Sequence, residues 1–254
     1  MDALECFTVG SSCEFAIRAF ILKSPQESMK RMKIWATSDN EHVRRLASEG
    51  CRPRLPWAVA LPSFKKDPKL VLEILELLKD DMSPYVRKSV ANNLNDVSKE
   101  NYAMVKKIAN DWIGYSKNRD AIIKHGCRTL LKNSDSDVLE LFGFSKPTGV
   151  KIENFKLTQQ VKMGENLSFS FDVIKNEKLG NLRMEFALYF LRKNGVHNKK
   201  VFKISESNLK ENSKHVEKTY SFKPISTRVY HKGLQKLSII INGVVFQESE
   251  FTLF

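Results

Sequence analysis

The stretch EHVRRLASE, residues 41–49, has the apolar spacing of an amphipathic helix, with Val43, Leu46 and Ala47 on one face. A second stretch, PYVRKSVAN at residues 84–92, repeats its order of valine, arginine and a further basic residue 43 positions later. This period is typical of HEAT and armadillo repeats, whose helices stack into a solenoid with an extended concave surface. One pair of copies is also compatible with a plain helical bundle.

Helical spacing continues on both sides of these copies, so residues 1–145 are predicted to form one α-helical domain, a HEAT-like solenoid. Cap-then-proline or capping-box signals mark helix starts at Ser24-Pro25, Ser38, Asp67-Pro68 and Ser83-Pro84. The predicted helices cover residues 12–22, 25–36, 39–49, 68–79, 84–94, 99–113, 118–132 and 135–141.

Beyond the loop signal SKPTG at 145–149, the apolar period changes to strand-like alternation, as in NLSFSFDV and LRMEFALYFL. About seven strands are predicted, over residues 151–158, 166–175, 182–193, 199–205, 215–223, 235–242 and 244–253. Asn242-Gly243 is a strong signal for a tight hairpin between the last two. Residues 150–254 are therefore predicted to form an immunoglobulin-like antiparallel β-sandwich.

The net charge of +13 favours a polyanionic partner, which is nucleic acid or, less often, an anionic membrane surface. A basic soluble protein without such a partner is the other interpretation. Residues 1–148 carry 24 basic and 19 acidic side chains, a net +5, whereas residues 149–254 carry 18 and 10, a net +8. This distribution suggests that both domains face the same polyanion.

Membrane insertion, secretion and zinc binding are not expected from this sequence. Its apolar runs are too short to cross a bilayer, and its first residues lack a secretory signal. The four cysteines form no CxxC pair and no Cys/His cluster with zinc spacing. They are expected to be buried or half-buried thiols in a reducing cytosol.

Three carboxylates are candidates for chemistry: Glu14 opens the first predicted helix, Glu49 ends the third, and Asp96 follows the helix over 84–94. The helix dipole disfavours a carboxylate at a C-terminal end, so Glu49 is either exposed or held there for a purpose. Taken singly, each is more often structural or solvent-exposed than catalytic. Trp57 follows two prolines and two arginines in RPRLPWA. The prolines make its backbone rigid, and a rigid aromatic residue among cations suits contact with a nucleic-acid sugar or base. The alternative is a core position, where a lone tryptophan usually lies.

Basic residues recur on helix faces beside these candidates, where they could neutralise DNA phosphates. Ordinary solvated helix faces are the alternative explanation for any single run of charge. The candidate DNA-contacting residues are Arg45, Arg52, Arg54, Lys88, Lys124, His125 and Arg128.

The chain resembles the AlkC family of bacterial DNA alkylation repair glycosylases, which are HEAT-like relatives of AlkD. The resemblance rests on four stretches in order along the chain: EFAIRAF, DNEHVRRLASEGCRPRLPWA, VRKSVANNLND and IIKHGCRTLLK. The resemblance covers roughly the first 144 residues. The β domain fits the immunoglobulin-like domain of one branch of that family. The resemblance implies hydrolysis of the N-glycosidic bond in double-stranded DNA bearing 3-methyladenine, and in this branch 3-methylcytosine and 1-methyladenine.

The resemblance also implies a catalytic set of Glu14, Glu49, Asp96 and Trp57, with Asp96 and Glu49 the leading candidates, and excision without full flipping of the base. No lysine is singled out as a nucleophile, so a monofunctional glycosylase is expected, with no metal or organic cofactor. The expected form is a cytoplasmic monomer that associates with the bacterial nucleoid through DNA. Glu14 lies close to Met1, whereas longer relatives are expected to have further helices upstream.

Two other functions would use the same basic concave surface. A DNA-binding scaffold or damage sensor needs no catalytic carboxylates, and base release from methylated DNA distinguishes it from an enzyme. A protein-interaction solenoid uses its charge only for solubility, and salt-insensitive DNA binding distinguishes it from both.

Overall fold

The structure is a computed structural model that describes all residues from 1 to 254. The chain divides into two compact units, residues 1–130 and residues 131–254. The first unit is helical and the second contains all the β-strands. None of the helices combines the length and the apolar character that crossing a bilayer requires.

Eleven α-helices precede the first strand, and most start and end close to their predicted bounds. They are α1 (Asp2–Phe7), α2 (Ile17–Lys23), α3 (Pro25–Trp35), α4 (Glu41–Gly50), α5 (Pro62–Lys66), α6 (Lys69–Leu78), α7 (Pro84–Val97), α8 (Tyr102–Trp112), α9 (Lys117–Gly126), α10 (Arg128–Lys132) and α11 (Ser136–Leu141).

The helix-start signals were partly right. Ser83 caps α7 by accepting a hydrogen bond from the Tyr85 backbone N–H, as predicted. Ser24 precedes α3 with proline at the first turn but makes no side-chain cap. α4 is capped by Asn40 rather than Ser38, because the Asn40 side chain reaches the His42 backbone N–H.

Two helix boundaries differ from prediction in ways that move candidate residues. Glu14 lies in a turn before α2, which begins only at Ile17. α7 continues to Val97, so Asp96 lies in its last turn rather than beyond its end. The helix predicted over 118–132 breaks at Cys127 into α9 and α10. The short helices α1 and α5 were missed because five or six residues show no reliable period.

The two sequence copies, α4 and α7, pack directly against each other, and α7 also packs against α9. The predicted stripe of Val43, Leu46 and Ala47 is buried. Asn93 of α7 donates a hydrogen bond to the Ser48 carbonyl at 2.8 Å, which fixes the last turn of α4 against the middle of α7. α3 pairs with α4, α6 with α7 and α8 with α9, as expected for stacked helical repeats.

The β unit contains eight strands, one more than predicted, in two sheets. The strands are β1 (Lys151–Leu157), β2 (Gln160–Val161), β3 (Asn166–Ile174), β4 (Gly180–Leu191), β5 (His197–Leu209), β6 (Ser213–Ser221), β7 (Gly233–Ile241) and β8 (Val244–Leu253). One sheet has the order β1-β3-β6 and the other β2-β8-β7-β4-β5. All neighbours are antiparallel except β2 and β8, and β2 was missed because it has only two residues.

A single apolar core lies between the sheets and confirms the predicted sandwich. Alternate residues of β3, including Phe169 and Phe171, face it together with Phe186 of β4 and Ile239 of β7. The hairpin turn between β7 and β8 is also confirmed, since Asn242 and Gly243 both have positive φ, at 44° and 80°.

A charged cluster is buried in the β unit beside this core. The Arg183 guanidinium donates hydrogen bonds to the carboxylates of Glu185 and Glu206. Glu185 has 0% exposure, and its Oε2 has no hydrogen-bond partner. Burial raises the pKa of the Glu185 carboxyl, and the hydrogen bond from Arg183 offsets only part of this effect.

Glu185 predicts a pH-dependent stability. Between its ordinary and its raised pKa, the folded state keeps a proton that the unfolded chain releases, so stability falls as the pH rises through this window. Glu185→Gln should remove that loss and raise the melting temperature of the β unit at pH 8 by about 4 °C, or ~1 kcal/mol. Calorimetry from pH 5 to 8 should show the difference from wild type growing with pH. Glu177→Gln, an exposed control, should show no trend, and a pH-independent difference for Glu185→Gln would contradict the expectation.

Candidate active site

Arg52, two residues beyond α4, lies buried between two carboxylates. Its Nη1 donates a hydrogen bond to Glu49 Oε1 at 2.7 Å, and its Nε donates to Asp96 Oδ2 at 2.9 Å. Burial alone would lower the pKa of the Arg52 guanidinium, but Glu49 and Asp96 outweigh burial and raise it. Arg52 therefore remains charged and joins the last turn of α4 to the last turn of α7.

Both carboxylate oxygens of Glu49, and both of Asp96, have a partner. Glu49 Oε2 accepts a hydrogen bond from the Ser89 hydroxyl at 2.6 Å, and Asp96 Oδ1 accepts one from Lys99 Nζ at 3.2 Å. The Arg45 guanidinium lies 3.8 Å from Glu49 Oε1, one helical turn earlier on α4. Two arginines thus offset the unfavourable position of Glu49 at a helix C-terminus.

Arg45 extends this arrangement to Glu14. Its Nη2 lies 3.7 Å from Glu14 Oε1, its Nη1 donates to the Ser12 hydroxyl at 3.0 Å, and its guanidinium lies 4.5 Å from the centre of the Tyr85 ring. Glu14 Oε2 is buried and has no hydrogen-bond partner.

The structure therefore brings the three candidate carboxylates into one network. Glu14, Arg45, Glu49, Arg52 and Asp96 form a continuous series of alternating charges, which we call the arginine–carboxylate chain. Its carboxylates come from the turn before α2, from α4 and from α7. Within this series, Glu14 Oε2 is buried without a hydrogen-bond partner, whereas Glu14 Oε1 has the ion-pair contact with Arg45 at 3.7 Å.

Trp57 lies on the loop between α4 and α5 and is 99% exposed, with a positive φ of 61°. A non-glycine residue rarely adopts this conformation, so the surrounding loop must impose it. The loop is anchored on both sides of the indole, because Leu55 and Leu61 are buried and the Leu61 N–H donates to the Pro53 carbonyl at 3.2 Å. The ring is thus presented to solvent from a fixed backbone, not buried in a core.

Comparisons with known proteins identify the family of the chain. The family model "DNA alkylation repair enzyme" matches residues 6–132, half of the chain. The alkylpurine DNA glycosylase AlkC of Pseudomonas fluorescens, solved with DNA containing an abasic site analogue, superimposes with a TM-score of 0.96. It is 35% identical, over 100% of this chain and 71% of that one. The chain belongs to the AlkC family of DNA alkylation repair glycosylases.

A second match covers the β unit of this AlkC-family chain. The family model "Uncharacterised protein YhaZ, C-terminal Ig-like domain" matches residues 151–254, which confirms the immunoglobulin-like character of the sandwich. The uncharacterized protein YhaZ of Bacillus subtilis (strain 168) is 44% identical over 99% of this chain and 71% of its own length. The fold class inferred from the sequence is thus confirmed for both parts.

The candidate DNA-contacting residues of this AlkC relative differ in how available they are. Arg52 is buried, and Arg54 forms an ion pair with Glu100. Lys88 is exposed on α7 next to the groove between α7 and α9. Lys124 lies half-buried on α9.

His125 and Arg128 form a small cluster around Asn92, whose Oδ1 accepts hydrogen bonds from both, at 3.0 and 3.2 Å. Desolvation, followed by the positive charges of Arg128 and Lys88, lowers the pKa of His125. His125 therefore carries less positive charge near neutral pH than a histidine with the ordinary pKa would.

Sequence reasoning missed Arg18, which holds the Trp57 loop in place. Arg18 is buried, and its guanidinium donates hydrogen bonds to the backbone carbonyls of Gly50, Arg52 and Val59, the first two at 3.1 and 3.0 Å. Burial lowers the pKa of Arg18. Its position in the motif EFAIRAF was visible, but its carbonyl partners lie more than 30 residues away and leave no local signal.

The four cysteines are free thiols, and three of them are at least partly buried. Cys51 and Cys127 are buried and Cys13 is half-buried, as expected, whereas Cys6 is exposed because α1 has no buried residue. No group of three or more His, Cys, Asp or Glu side chains is arranged to hold a metal ion.

Proposed function

We propose that this chain is a monofunctional DNA glycosylase that hydrolyses the N-glycosidic bond of cationic alkylated bases in double-stranded DNA. The proposed substrates are 3-methyladenine, 3-methylcytosine and 1-methyladenine, and the product is an abasic site. The observation that carries the proposal is the arginine–carboxylate chain, which gathers Glu14, Glu49 and Asp96 from three separate segments. Family membership supports the same reaction class.

The chemistry needs negative charge more than it needs an acid. An alkylated base already carries a positive charge and leaves without protonation, so the bond electrons move to the base while the deoxyribose becomes an oxocarbenium-like cation. Glu49 and Asp96 stabilise this developing charge because their positions are fixed before the reaction. Arg45 and Arg52 keep them in place. The exposed face of Trp57 offers electron density to the same cation.

Water completes the hydrolysis by attacking the anomeric carbon and losing one proton. Glu14 Oε2 is the proposed acceptor for that proton, because the other carboxylate oxygens of the chain already accept hydrogen bonds or ion pairs. A carboxylate acts as general base when it lies within hydrogen-bond reach of the water. No lysine takes part as a nucleophile, so the DNA strand should stay intact after base release.

DNA is the proposed partner, as the solved complex of the Pseudomonas fluorescens AlkC supports. Lys88, Lys124 and Arg128 are the proposed phosphate contacts within the helical unit, and the net +8 of residues 149–254 adds a second basic surface. Arg45 and Arg52 instead position carboxylates, since their charges are engaged. We propose a cytoplasmic monomer that reaches the nucleoid through DNA.

The test is a panel of duplexes, each with a single 3-methyladenine, 3-methylcytosine, 1-methyladenine or 7-methylguanine, scored for released base by mass spectrometry. The proposal expects release of cationic bases, and strand breakage only after alkali. Tight, salt-sensitive binding without base release would instead identify a damage sensor. Weak, salt-insensitive binding would indicate a protein-interaction solenoid.

Trp57→Ala should separate chemistry from docking. Contact of one aromatic ring with a base or sugar contributes about 1–3 kcal/mol, so kcat/KM should fall about 10- to 100-fold. The fold should survive, because the indole is almost fully exposed. Single-turnover excision and the Kd for abasic DNA are measured in parallel. Tyr102→Ala, which removes another exposed aromatic, is the matched control, and a loss confined to Kd would make Trp57 a docking residue only.

A further inference from the structure

The repeat that relates α4 to α7 contains one exception that points to Glu49. The offset of 43 residues aligns the buried stripe of Val43, Leu46 and Ala47 with Val86, Ser89 and Val90. Ser89 thus stands where its copy has a buried leucine, and it is only 2% exposed. Replacing a core leucine by serine gives up apolar burial and requires a partner for the hydroxyl, because an unpaired buried hydroxyl is costly.

The partner of Ser89 is a carboxylate rather than the backbone. The Ser89 hydroxyl donates a hydrogen bond to Glu49 Oε2 at 2.6 Å, a short distance typical of hydrogen bonds to charged oxygens. Since the hydroxyl proton is used, Ser89 Oγ accepts a hydrogen bond from the Ser48 hydroxyl, also at 2.6 Å. Both serines are buried, so water does not compete for these contacts.

We propose that Ser89, supported by Ser48, is a positioning residue that fixes the orientation of the Glu49 carboxylate for base excision. This inference rests on the proposed function. Arg52 holds Glu49 Oε1 and Ser89 holds Oε2, so the plane of the carboxylate is set from both sides. Arg52 alone would leave the carboxylate free to rotate about the bond to its side chain.

The charged groups around Glu49 are Arg45 and Arg52, with Glu14 and Asp96 on their far sides. None of these is altered when Ser89 is replaced. A change in the excision rate constant can therefore be assigned to the lost hydroxyl.

The experiment compares Ser89→Ala with wild type in single-turnover excision of a defined 3-methyladenine duplex at one fixed pH. A hydrogen bond to a charged group supports an expected fall of about tenfold or more in the excision rate constant. DNA affinity, measured as the Kd for abasic DNA, should be unchanged, which separates a loss in the chemical step from a loss in binding. Ser28→Ala removes a buried serine on α3 and should leave the rate constant unchanged. If Ser89→Ala melts below the assay temperature, Ser89→Cys, with a weaker donor of similar size, replaces it.

A second background distinguishes positioning from general damage. In a Glu49→Gln protein, Ser89→Ala should cause little further loss, because the group that it positions has already lost its charge. If Ser89→Ala lowers the rate constant equally in both backgrounds, or in neither, the inference about Ser89 is wrong. The proposed role of Glu49 would still stand. Full activity of Glu49→Gln itself would instead overturn the proposed role of Glu49, and the inference about Ser89 with it.

Discussion

Glu49→Gln should lower the rate constant for excision of 3-methyladenine by about 10²- to 10³-fold, as removal of one fixed electrostatic stabiliser does in other enzymes. The change keeps the shape of the side chain and removes its charge from the neighbourhood of the sugar. Arg52 would still pair with Asp96, so the last turns of α4 and α7 would remain joined. Single-turnover kinetics with enzyme in excess over DNA measures the chemical step.

Glu73→Gln is the matched control for this prediction. Glu73 lies on α6, where it pairs with Lys33 away from the arginine–carboxylate chain, so the rate constant should stay close to wild type. Circular dichroism melting should show both variants folded at the assay temperature. A Glu49→Gln protein with the wild-type rate constant would leave Asp96 and Glu14 as the remaining candidates for stabilising the cation.

Elements with a local cause were predictable from the sequence. The period-43 copies identified α4 and α7 because their apolar stripes repeat, and Asn242-Gly243 identified the last hairpin because few residues tolerate positive φ at both turn positions. The motifs also located Glu49 and Asp96. None of these required knowledge of contacts between distant residues.

Pairings between distant residues were not predictable. The sequence predicted that Arg52 contacts a DNA phosphate, whereas in the structure it pairs with two carboxylates. One of them, Asp96, lies 44 residues further along the chain. Arg18 is explained only by the carbonyls that it binds. Ser89 departs from the repeat, but its role depends on the Glu49 carboxylate at its hydroxyl. Composition and period show which charges exist but not which of them become buried together.

Arg52→Met should destabilise the helical unit by about 3–5 kcal/mol, the cost of leaving buried charges without their partner. Methionine fills a similar volume, so the loss comes from charge rather than from a cavity. Glu49 would keep Ser89 and the more distant Arg45, and Asp96 would keep its side-chain hydrogen bond from Lys99. Urea unfolding followed by circular dichroism at 222 nm measures the free energy of unfolding.

Two further variants show whether charge is the cause. Arg54→Met breaks the more exposed ion pair with Glu100 and should cost no more than about 1 kcal/mol. Adding Glu49→Gln and Asp96→Asn to Arg52→Met removes the uncompensated carboxylates, so most of the lost stability should return although excision does not. That outcome would show that Arg52 stabilises the fold by compensating the charges of Glu49 and Asp96, and that excision needs those charges themselves. If the triple variant stayed as unstable as Arg52→Met, packing around the guanidinium, rather than its charge, would be what the fold requires.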